Sequence, residues 1–211
     1  MISGESAITE AMPDLSFESQ LNGYVCGVDE AGRGPCAGPL CVAAVILDRN
    51  KIPDMIRDSK KLSESHRFKL EPLIKQSAIA WSVVEVSCEQ IDAMNILQAT
   101  MWGMAEAVIR LSVTAHHALI DGNKAPKLSI PSHPIVKGDD RSLSIAAASI
   151  LAKTARDRIM IEMDSIYPVY GFKKHKGYQA EAHLEAIRLH GPSPIHRRSW
   201  ATVRNLATSA L

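Results

Sequence analysis

The sequence contains little of three things: long apolar runs, cysteine and net charge. Its apolar runs fall short of the ~20 residues that cross a bilayer, so no membrane association is predicted. Four cysteines without a CxxC pair are too few for a disulfide-rich secreted scaffold, and we predict buried thiols in a cytoplasmic protein. Lys and Arg total 24 against 23 Asp and Glu, which argues against a strongly basic nucleic-acid binder.

The chain has enough apolar residues, 46% of 211, to bury a core, which excludes a disordered protein. Residues 1–20 are rich in acids and lack the basic start and the apolar stretch of a signal peptide. We interpret them as a flexible acidic leader before a single domain at residues 21–211. A monomer is expected.

Charge is distributed unevenly along the chain. From Lys137 to the C-terminus twelve basic residues stand against seven acids, a charge of +5, while the preceding residues carry −4. Segregation of this kind is typical of a protein that contacts an anionic partner with one region. The near-neutral total therefore conceals a basic C-terminal third.

Hydrophobic periodicity alternates between strand and helix. Short Val- and Ile-rich segments bounded by Gly, Pro and Asp predict strands within residues 24–30, 39–47, 78–87, 116–123 and 133–139. Apolar residues at helical spacing predict helices within residues 63–76, 89–111, 142–164 and 181–190. This order indicates an α/β fold with a mixed central β-sheet flanked by helices, followed by a helical C-terminal part.

Carboxylates stand at the ends of three predicted strands. Asp29 and Glu30 close the first strand, Asp121 closes the fourth and Asp139 the fifth. Open α/β sheets place their ligands at such ends, so we expect the four acids to converge at one edge. Converging carboxylates repel one another unless cations neutralise them, and hard oxygen ligands favour Mg²⁺ or Mn²⁺.

Single members of this set also have simpler explanations. Asp121 precedes a glycine, as many turn residues do, and Asp139 is compatible with a cap of the helix predicted from residue 142. The adjacent pair Asp29 and Glu30, next to a glycine-rich turn, is the more informative signal. Together the four residues favour a metal site.

The glycine-rich turn AGRGPCAG follows the acidic pair. Gly32 and Gly34 lack a Cβ, so the backbone there can approach a ligand closely, and Arg33 between them suits a phosphate or a sugar. A tight hairpin explains the same glycines equally well.

Two further segments combine cations with groups that bind nucleic acid. The loop DSKKLS offers Lys60 and Lys61 as phosphate contacts. The segment YGFKKHKGY interleaves three aromatic residues, Tyr178 among them, with Lys and His. Aromatics among cations hold nucleic-acid strands, although a solvated basic face is equally compatible with this pattern.

The chain resembles the ribonuclease HII family in six segments that follow the family's order. They are GVDEAGRGPCAGPL, DSKKLS, LIDGN, VKGDDRSLSIAAASILAKTARDR, YGFKKHKGY and GPSPIHRRSW. The resemblance implies an RNase H-like fold and endonucleolytic cleavage of RNA in RNA–DNA hybrids, including incision at ribonucleotides embedded in duplex DNA. For such a cleavage we expect two divalent ions, Mn²⁺ or Mg²⁺, one to activate water and one to stabilise the departing 3′ oxygen. Because the attacking group would be water and not the 2′-hydroxyl, we expect products with 3′-hydroxyl and 5′-phosphate ends.

The resemblance also implies roles for individual residues. The implied metal-binding and catalytic residues are Asp29, Glu30, Asp121 and Asp139. The residues implied to read the ribose 2′-hydroxyl and the adjacent phosphate are Gly32, Arg33 and Gly34. The remaining implied substrate contacts are sugar stacking by Tyr178 and backbone contacts by Lys60 and Lys61.

Some positions depart from the family pattern, namely Cys36, Asp140 and the pair Gln179-Ala180. None removes an implied ligand, but Asp140 raises the alternative that it reaches the metal in place of Asp139. A noncatalytic nucleic-acid binder is a competing interpretation, although it has no need of four acids beside a phosphate path. The related ribonuclease HIII usually adds a sizeable N-terminal domain, which about twenty leader residues cannot form.

Overall fold

A mixed five-stranded sheet forms the centre of the protein, described here for residues 12–208 from a computed structural model. Its strands are β1 (Val25–Ala31), β2 (Leu40–Ile46), β3 (Ala80–Val86), β4 (His117–Asp121) and β5 (Ser132–Ile135). The order across the sheet is β3-β2-β1-β4-β5. β1, β2 and β3 pair antiparallel, whereas β4 and β5 run parallel to β1, which confirms the predicted mixed sheet.

Helices cover both faces of the sheet and form the C-terminal part, as predicted. They are α1 (Ser16–Ser19), α2 (Glu64–Ser77), α3 (Cys88–Met94), α4 (Ile96–Ile109), α5 (Leu143–Ile166), α6 (Phe172–His175), α7 (Glu181–His190) and α8 (Ala201–Thr208). Within residues 12–208, none of them combines the length and the apolar character needed to cross a membrane.

Strand β2 explains why the sheet needs helices on both sides. All seven of its residues are buried, and they form a continuous apolar run. Val42 and Ala44 pack with α3 and α4 on one face, while Ala43 and Val45 pack with α2 and α5 on the other. Alanines at 146–148 and 152 present short side chains to the sheet, so α5 approaches β1 and β2 closely.

A separate apolar cluster holds the C-terminal helices against the glycine-rich segment. Cys36 and Ala37 pack there with Met160, Phe172 and Ile187. Because Tyr170 and Phe172 are also buried, Tyr178 is the exposed aromatic residue of the YGFKKHKGY segment. The four cysteines are all buried free thiols, as the sequence predicts.

The helix predicted over residues 89–111 is two helices. Asn95 has a positive φ of 68°, and its side chain accepts hydrogen bonds from the N–H groups of Leu97 and Gln98. It therefore ends α3 and caps α4. Asparagine adopts positive φ more readily than most residues and is a preferred N-cap, but the continuous apolar spacing masked that signal.

The prediction that Asp139 closes the fifth strand is wrong. β5 ends at Ile135, Lys137 has a positive φ of 55°, and Asp139 lies in a 3₁₀ turn at Gly138–Asp140. The turn reverses the chain into α5, whose N-cap is Ser142. Asp139 is thus delivered to the sheet edge by a turn rather than by the strand.

The predicted acidic leader differs from the structure at its C-terminal end. Residues 1–11 lie outside the described residues, but Asp14 forms a β-bridge with Ser142 and α1 follows it. Glu18 is buried and accepts hydrogen bonds from Ser142 Oγ (2.7 Å) and from the Ser144 N–H (3.0 Å). A carboxylate at a helix N-terminus is stabilised by the orphan N–H groups and the helix dipole, so residues 12–20 pack as part of the domain.

Candidate active site

Three carboxylates meet where β1 and β4 end. The parallel register pairs Val28 with Ile120, which sets Asp29 beside Asp121. The 3₁₀ turn brings Asp139 to the same place, and the N–H of Gly138 donates to Asp121 Oδ1 (2.7 Å). One oxygen from each of Asp29, Asp121 and Asp139 lies within 4.8 Å of the others. We call these three residues the acidic cluster.

Glu30 borders the same cleft but is outside this cluster of three. Its Oε1 accepts a hydrogen bond from Arg33 Nη1 (3.3 Å). Its Oε2 is buried and has no hydrogen-bond partner among the described residues. A buried oxygen without a hydrogen-bond partner is costly, and a ligand bound beside Glu30 would remove that cost.

Asp139, rather than its neighbour Asp140, joins the acidic cluster. Asp139 is buried, whereas the Asp140 carboxylate is partly exposed and lies 2.9 Å from Lys61 Nζ. The geometry therefore favours the first of the two adjacent acids as the metal ligand.

Burial and mutual repulsion work against ionisation of the acidic cluster. The pKa of Asp29 is raised well above its usual value, first by burial and then by the charges of Glu30 and Asp121. Burial and the charge of Asp139 raise the pKa of Asp121. Burial also raises the pKa of Glu30, and the Arg33 guanidinium opposes that shift. The fold thus holds these carboxylates together against their own electrostatics.

Lys60 supplies part of the missing positive charge. Its Nζ lies 2.8 Å from Asp139 Oδ2 and 3.8 Å from Asp58 Oδ1. Burial lowers the pKa of Lys60, but the hydrogen bond and charge of Asp139 outweigh it, so the pKa is raised. A single ammonium cannot balance the whole group of acids.

The donor set fits a hard divalent cation. The cluster offers carboxylate oxygens, and the described residues that line the cleft include no His or Cys. Oxygen ligands of this kind suit Mg²⁺ or Mn²⁺, and a divalent cation would offset both the repulsion and the unpaired Glu30 oxygen. These residues therefore fit the metal site expected from the sequence.

Asp29 and Asp121 of the acidic cluster line a cleft of about 360 Å³, and so does Glu30. The same cleft is lined by Gly32, Arg33, Gly34 and Tyr178. A Cβ on Gly34 would lie 3.6 Å from Tyr178 Cε1, so the turn and the tyrosine are neighbours. A larger, mostly apolar cavity of about 720 Å³ lies beside α2. Neither the acidic cluster nor Glu30 lines it, so the candidate metal ligands favour the smaller cleft as the active site.

The two glycines of the Gly-Arg-Gly turn differ in what surrounds them. Gly32 is buried with φ +104°, and a Cβ there would lie 2.2 Å from Arg156 Nε. Gly34 is exposed at the cleft and has no such obstruction. Glycine at position 32 is therefore required by packing, while glycine at 34 keeps the cleft open.

Three cleft residues on α5 were not predicted from the sequence: Ser149, Lys153 and Arg156. They are spaced four and three residues apart, which puts them on one face of the helix. The hydroxyl of Ser149 lies 2.9 Å from that of Ser59, and Lys153 Nζ donates to Asp157 Oδ1 (2.6 Å). Polar residues at this spacing in an apolar helix were the available signal.

Comparisons with known proteins establish the family of this chain. A family model described as ribonuclease HII matches residues 26–203. A ribonuclease HII of Dechloromonas aromatica is 55% identical over 86% of this chain and 92% of its own length, and one from Caulobacter vibrioides is 54% identical over 94% of each chain. The crystal structure of ribonuclease H2 from Pyrococcus horikoshii is 27% identical, covers 88% of this chain and 98% of its own, and superposes with a TM-score of 0.75. The chain belongs to the ribonuclease HII family and is a ribonuclease H enzyme.

Proposed function

We propose that this enzyme hydrolyses the RNA strand of RNA–DNA hybrids endonucleolytically and incises on the 5′ side of ribonucleotides embedded in duplex DNA. The observation that carries the proposal is the cleft itself. It brings Asp29 and Asp121 of the acidic cluster together with Gly34 and Tyr178. The cleft thus combines groups suited to phosphodiester hydrolysis with groups suited to recognition of a sugar.

Asp29, Asp121 and Asp139 would hold two divalent cations, Mg²⁺ or Mn²⁺, with Glu30 at the border of the site. When bound, such ions activate water and stabilise the charge that develops on the departing 3′ oxygen. Because the attacking group is water and not the 2′-hydroxyl, the products would carry 3′-hydroxyl and 5′-phosphate ends.

Selection of ribose would depend on the 2′-hydroxyl, which both donates and accepts hydrogen bonds and is absent from DNA. Arg33 and Gly34 are exposed at the cleft, where their backbone can meet it, and Gly32 anchors the turn behind them. The ring of Tyr178, 49% exposed and beside Gly34, is placed to stack on the next sugar. Lys60, which pairs with Asp139, and Lys61, which pairs with Asp140, would contact the phosphate backbone.

The test is a nicking assay on a duplex with one embedded ribonucleotide, beside an all-DNA duplex of the same sequence. We expect Mn²⁺-dependent incision of the first duplex alone, on the 5′ side of the ribonucleotide, leaving 3′-hydroxyl and 5′-phosphate ends. A 2′,3′-cyclic phosphate product, or cleavage that persists in EDTA, would contradict the mechanism. Binding without cleavage would favour the noncatalytic binder.

A further inference from the structure

Two arginines are fully buried next to the Gly-Arg-Gly turn. Arg156 is 1% exposed and Arg197 is 0% exposed. Within residues 12–208, neither has a carboxylate at salt-bridge distance from its guanidinium. A buried charge without a counter-charge is expensive, so its hydrogen bonds must compensate.

Arg197 directs its guanidinium at the backbone of the turn. Nη2 donates to the Gly32 carbonyl (2.6 Å), Nη1 to those of Arg33 (3.2 Å) and Pro35 (2.7 Å), and Nε to that of Gly38 (3.0 Å). The Arg197 N–H donates to the Cys36 carbonyl (2.8 Å). Burial, followed by the charge of Arg156, lowers the pKa of Arg197 to about 10, which leaves it protonated at neutral pH.

Arg156 holds the rest of the turn and joins it to the segment before Tyr178. Its Nε donates to the Pro39 carbonyl (2.9 Å) and Nη2 to the Ala37 carbonyl (3.0 Å). Its Nη1 donates to the Lys176 carbonyl (2.9 Å), two residues before Tyr178. The turn and the tyrosine are therefore connected through one buried guanidinium.

The backbone carbonyls of residues 32–39 and the N–H groups at the start of this segment differ in their hydrogen bonding. Seven of the eight carbonyls accept hydrogen bonds from Arg156 or Arg197, and the exception is Gly34. The N–H groups of Gly32, Arg33 and Gly34 form no hydrogen bond with another part of the described chain. Because these carbonyls point inward to the two arginines, the N–H groups of Arg33 and Gly34 remain available on the cleft side.

We propose that Arg197 is a positioning residue for ribose recognition: it holds the Gly-Arg-Gly turn in its binding conformation before substrate arrives. This inference rests on the proposed function. Arginine suits the task because its planar guanidinium carries five donors in a fixed geometry, whereas lysine offers a compact ammonium with three. Because the turn is ordered in advance, substrate binding does not have to order it.

Substitution of Arg197 by lysine tests the proposal, since it keeps the charge and removes the fork of donors. Arg198→Lys is the matched control, because the same change falls on the neighbouring exposed arginine. Ile46→Val, which removes one methylene from the distant end of β2, controls for loss of stability.

Two quantities are measured for each variant: kcat/KM on the one-ribonucleotide duplex, and Kd for the all-DNA duplex. We expect Arg197→Lys to lower kcat/KM about 10- to 100-fold, since misplaced groups lose rate steeply, and to change Kd less than about twofold. If Arg197 only stabilised the fold, its substitution would lower kcat/KM and weaken binding of the all-DNA duplex together. Cleavage by folded Arg197→Lys equal to that of Arg198→Lys would overturn the positioning role.

A measurement on the wild-type enzyme keeps the proposal testable if Arg197→Lys does not fold. We expect NMR order parameters of about 0.85 for the Arg33 and Gly34 amides without substrate, and values below about 0.6 would overturn it. Failure of the wild type to cut the ribonucleotide duplex would instead overturn the proposed function, and with it the purpose assigned to the ordered turn.

Discussion

The acidic cluster and the Gly-Arg-Gly turn differ in how their charges are balanced. In the acidic cluster, negative charges are gathered and left largely unbalanced, with raised pKa values at Asp29 and Asp121. Behind the Gly-Arg-Gly turn, the positive charges of Arg156 and Arg197 are buried, but carbonyl dipoles satisfy them. The acidic cluster therefore fits a cation that would balance its charge, whereas the charges behind the turn are satisfied without a ligand.

The same comparison separates chemistry from selection. A substitution in the acidic cluster would remove groups that the proposed hydrolysis requires but relieve repulsion, so activity should fall while stability is kept or rises. A substitution behind the turn disturbs packing and should lower both activity and stability.

The largest effect is expected from Asp29→Asn and Asp121→Asn. Each would remove a proposed metal ligand and should lower cleavage by at least about 10³-fold, because the proposed hydrolysis depends on bound cations. The free energy of unfolding, measured with urea, should stay the same or rise because like charges are removed. Asp140→Asn is the control, since that side chain pairs with Lys61, and it should retain most of the activity. Full activity in Asp121→Asn would remove the acidic cluster from the mechanism.

The next effect concerns the tyrosine. Tyr178→Ala should reduce incision at a single embedded ribonucleotide by about 10- to 100-fold, because stacking on one nucleotide contributes about 1–3 kcal/mol. Tyr178→Phe retains the ring and should retain most of the rate. Initial rates on the one-ribonucleotide duplex measure both variants, and an unchanged rate for the alanine variant would count against stacking.

The two glycines of the turn should respond differently to alanine. Gly32→Ala forces a Cβ against Arg156 at positive φ and should lower the free energy of unfolding by about 1–3 kcal/mol. Gly34→Ala has room for a Cβ and should change it by no more than about 0.5 kcal/mol, while slowing ribonucleotide incision. Urea unfolding of both variants gives the comparison, and equal destabilisation would show that position 34 is also a packing position.

Much of this site was predictable because its signals are local in the sequence. Asp29, Glu30 and Asp121 follow apolar strand segments, and the parallel register of β1 and β4 then brings Asp29 to Asp121. The position of Asp139 was predicted for the wrong reason, since a 3₁₀ turn and not a strand delivers it.

The arginines behind the turn were not predictable in the same way. Arg197 stands in the segment HRRSW, where it is indistinguishable from the exposed Arg198 as a surface cation. Its partners are carbonyls more than 150 residues away, and backbone carbonyls leave no mark on a sequence. Glu18 is similar, because its acidic neighbourhood suggested a leader while its partners lie at the start of α5.

The smallest effect concerns two buried histidines that support the tyrosine side. His183 Nδ1 donates to the Tyr178 carbonyl (2.8 Å), His196 Nε2 donates to His183 Nε2 (3.0 Å), and Ser193 donates to His196 Nδ1. Burial lowers the pKa of both to about 4 from 6.5. Because their folded pKa is lowered, their contribution to stability is complete above about pH 6.5 and is lost as the pH falls towards 4.

Direct titration of the imidazoles tests this histidine pair. The buried carboxylates Asp29 and Asp121, whose pKa values are raised above the usual 3.8, act on stability in the opposite direction as the pH rises above that value, so a net unfolding curve would mix the two effects. NMR titration of the ring protons should give midpoints near 4 for His183 and His196. Midpoints near 6.5 would show that the pair is solvated.

A Mn²⁺ titration of wild type, Asp121→Asn and Gly34→Ala, monitored by electron paramagnetic resonance, tests most directly whether metal binding and ribose selection depend on different residues of the cleft. We expect Asp121→Asn to lose Mn²⁺ binding, and Gly34→Ala to bind Mn²⁺ like the wild type although it cuts more slowly. Wild-type Mn²⁺ affinity in Asp121→Asn, or loss of Mn²⁺ binding in Gly34→Ala, would contradict this assignment of roles.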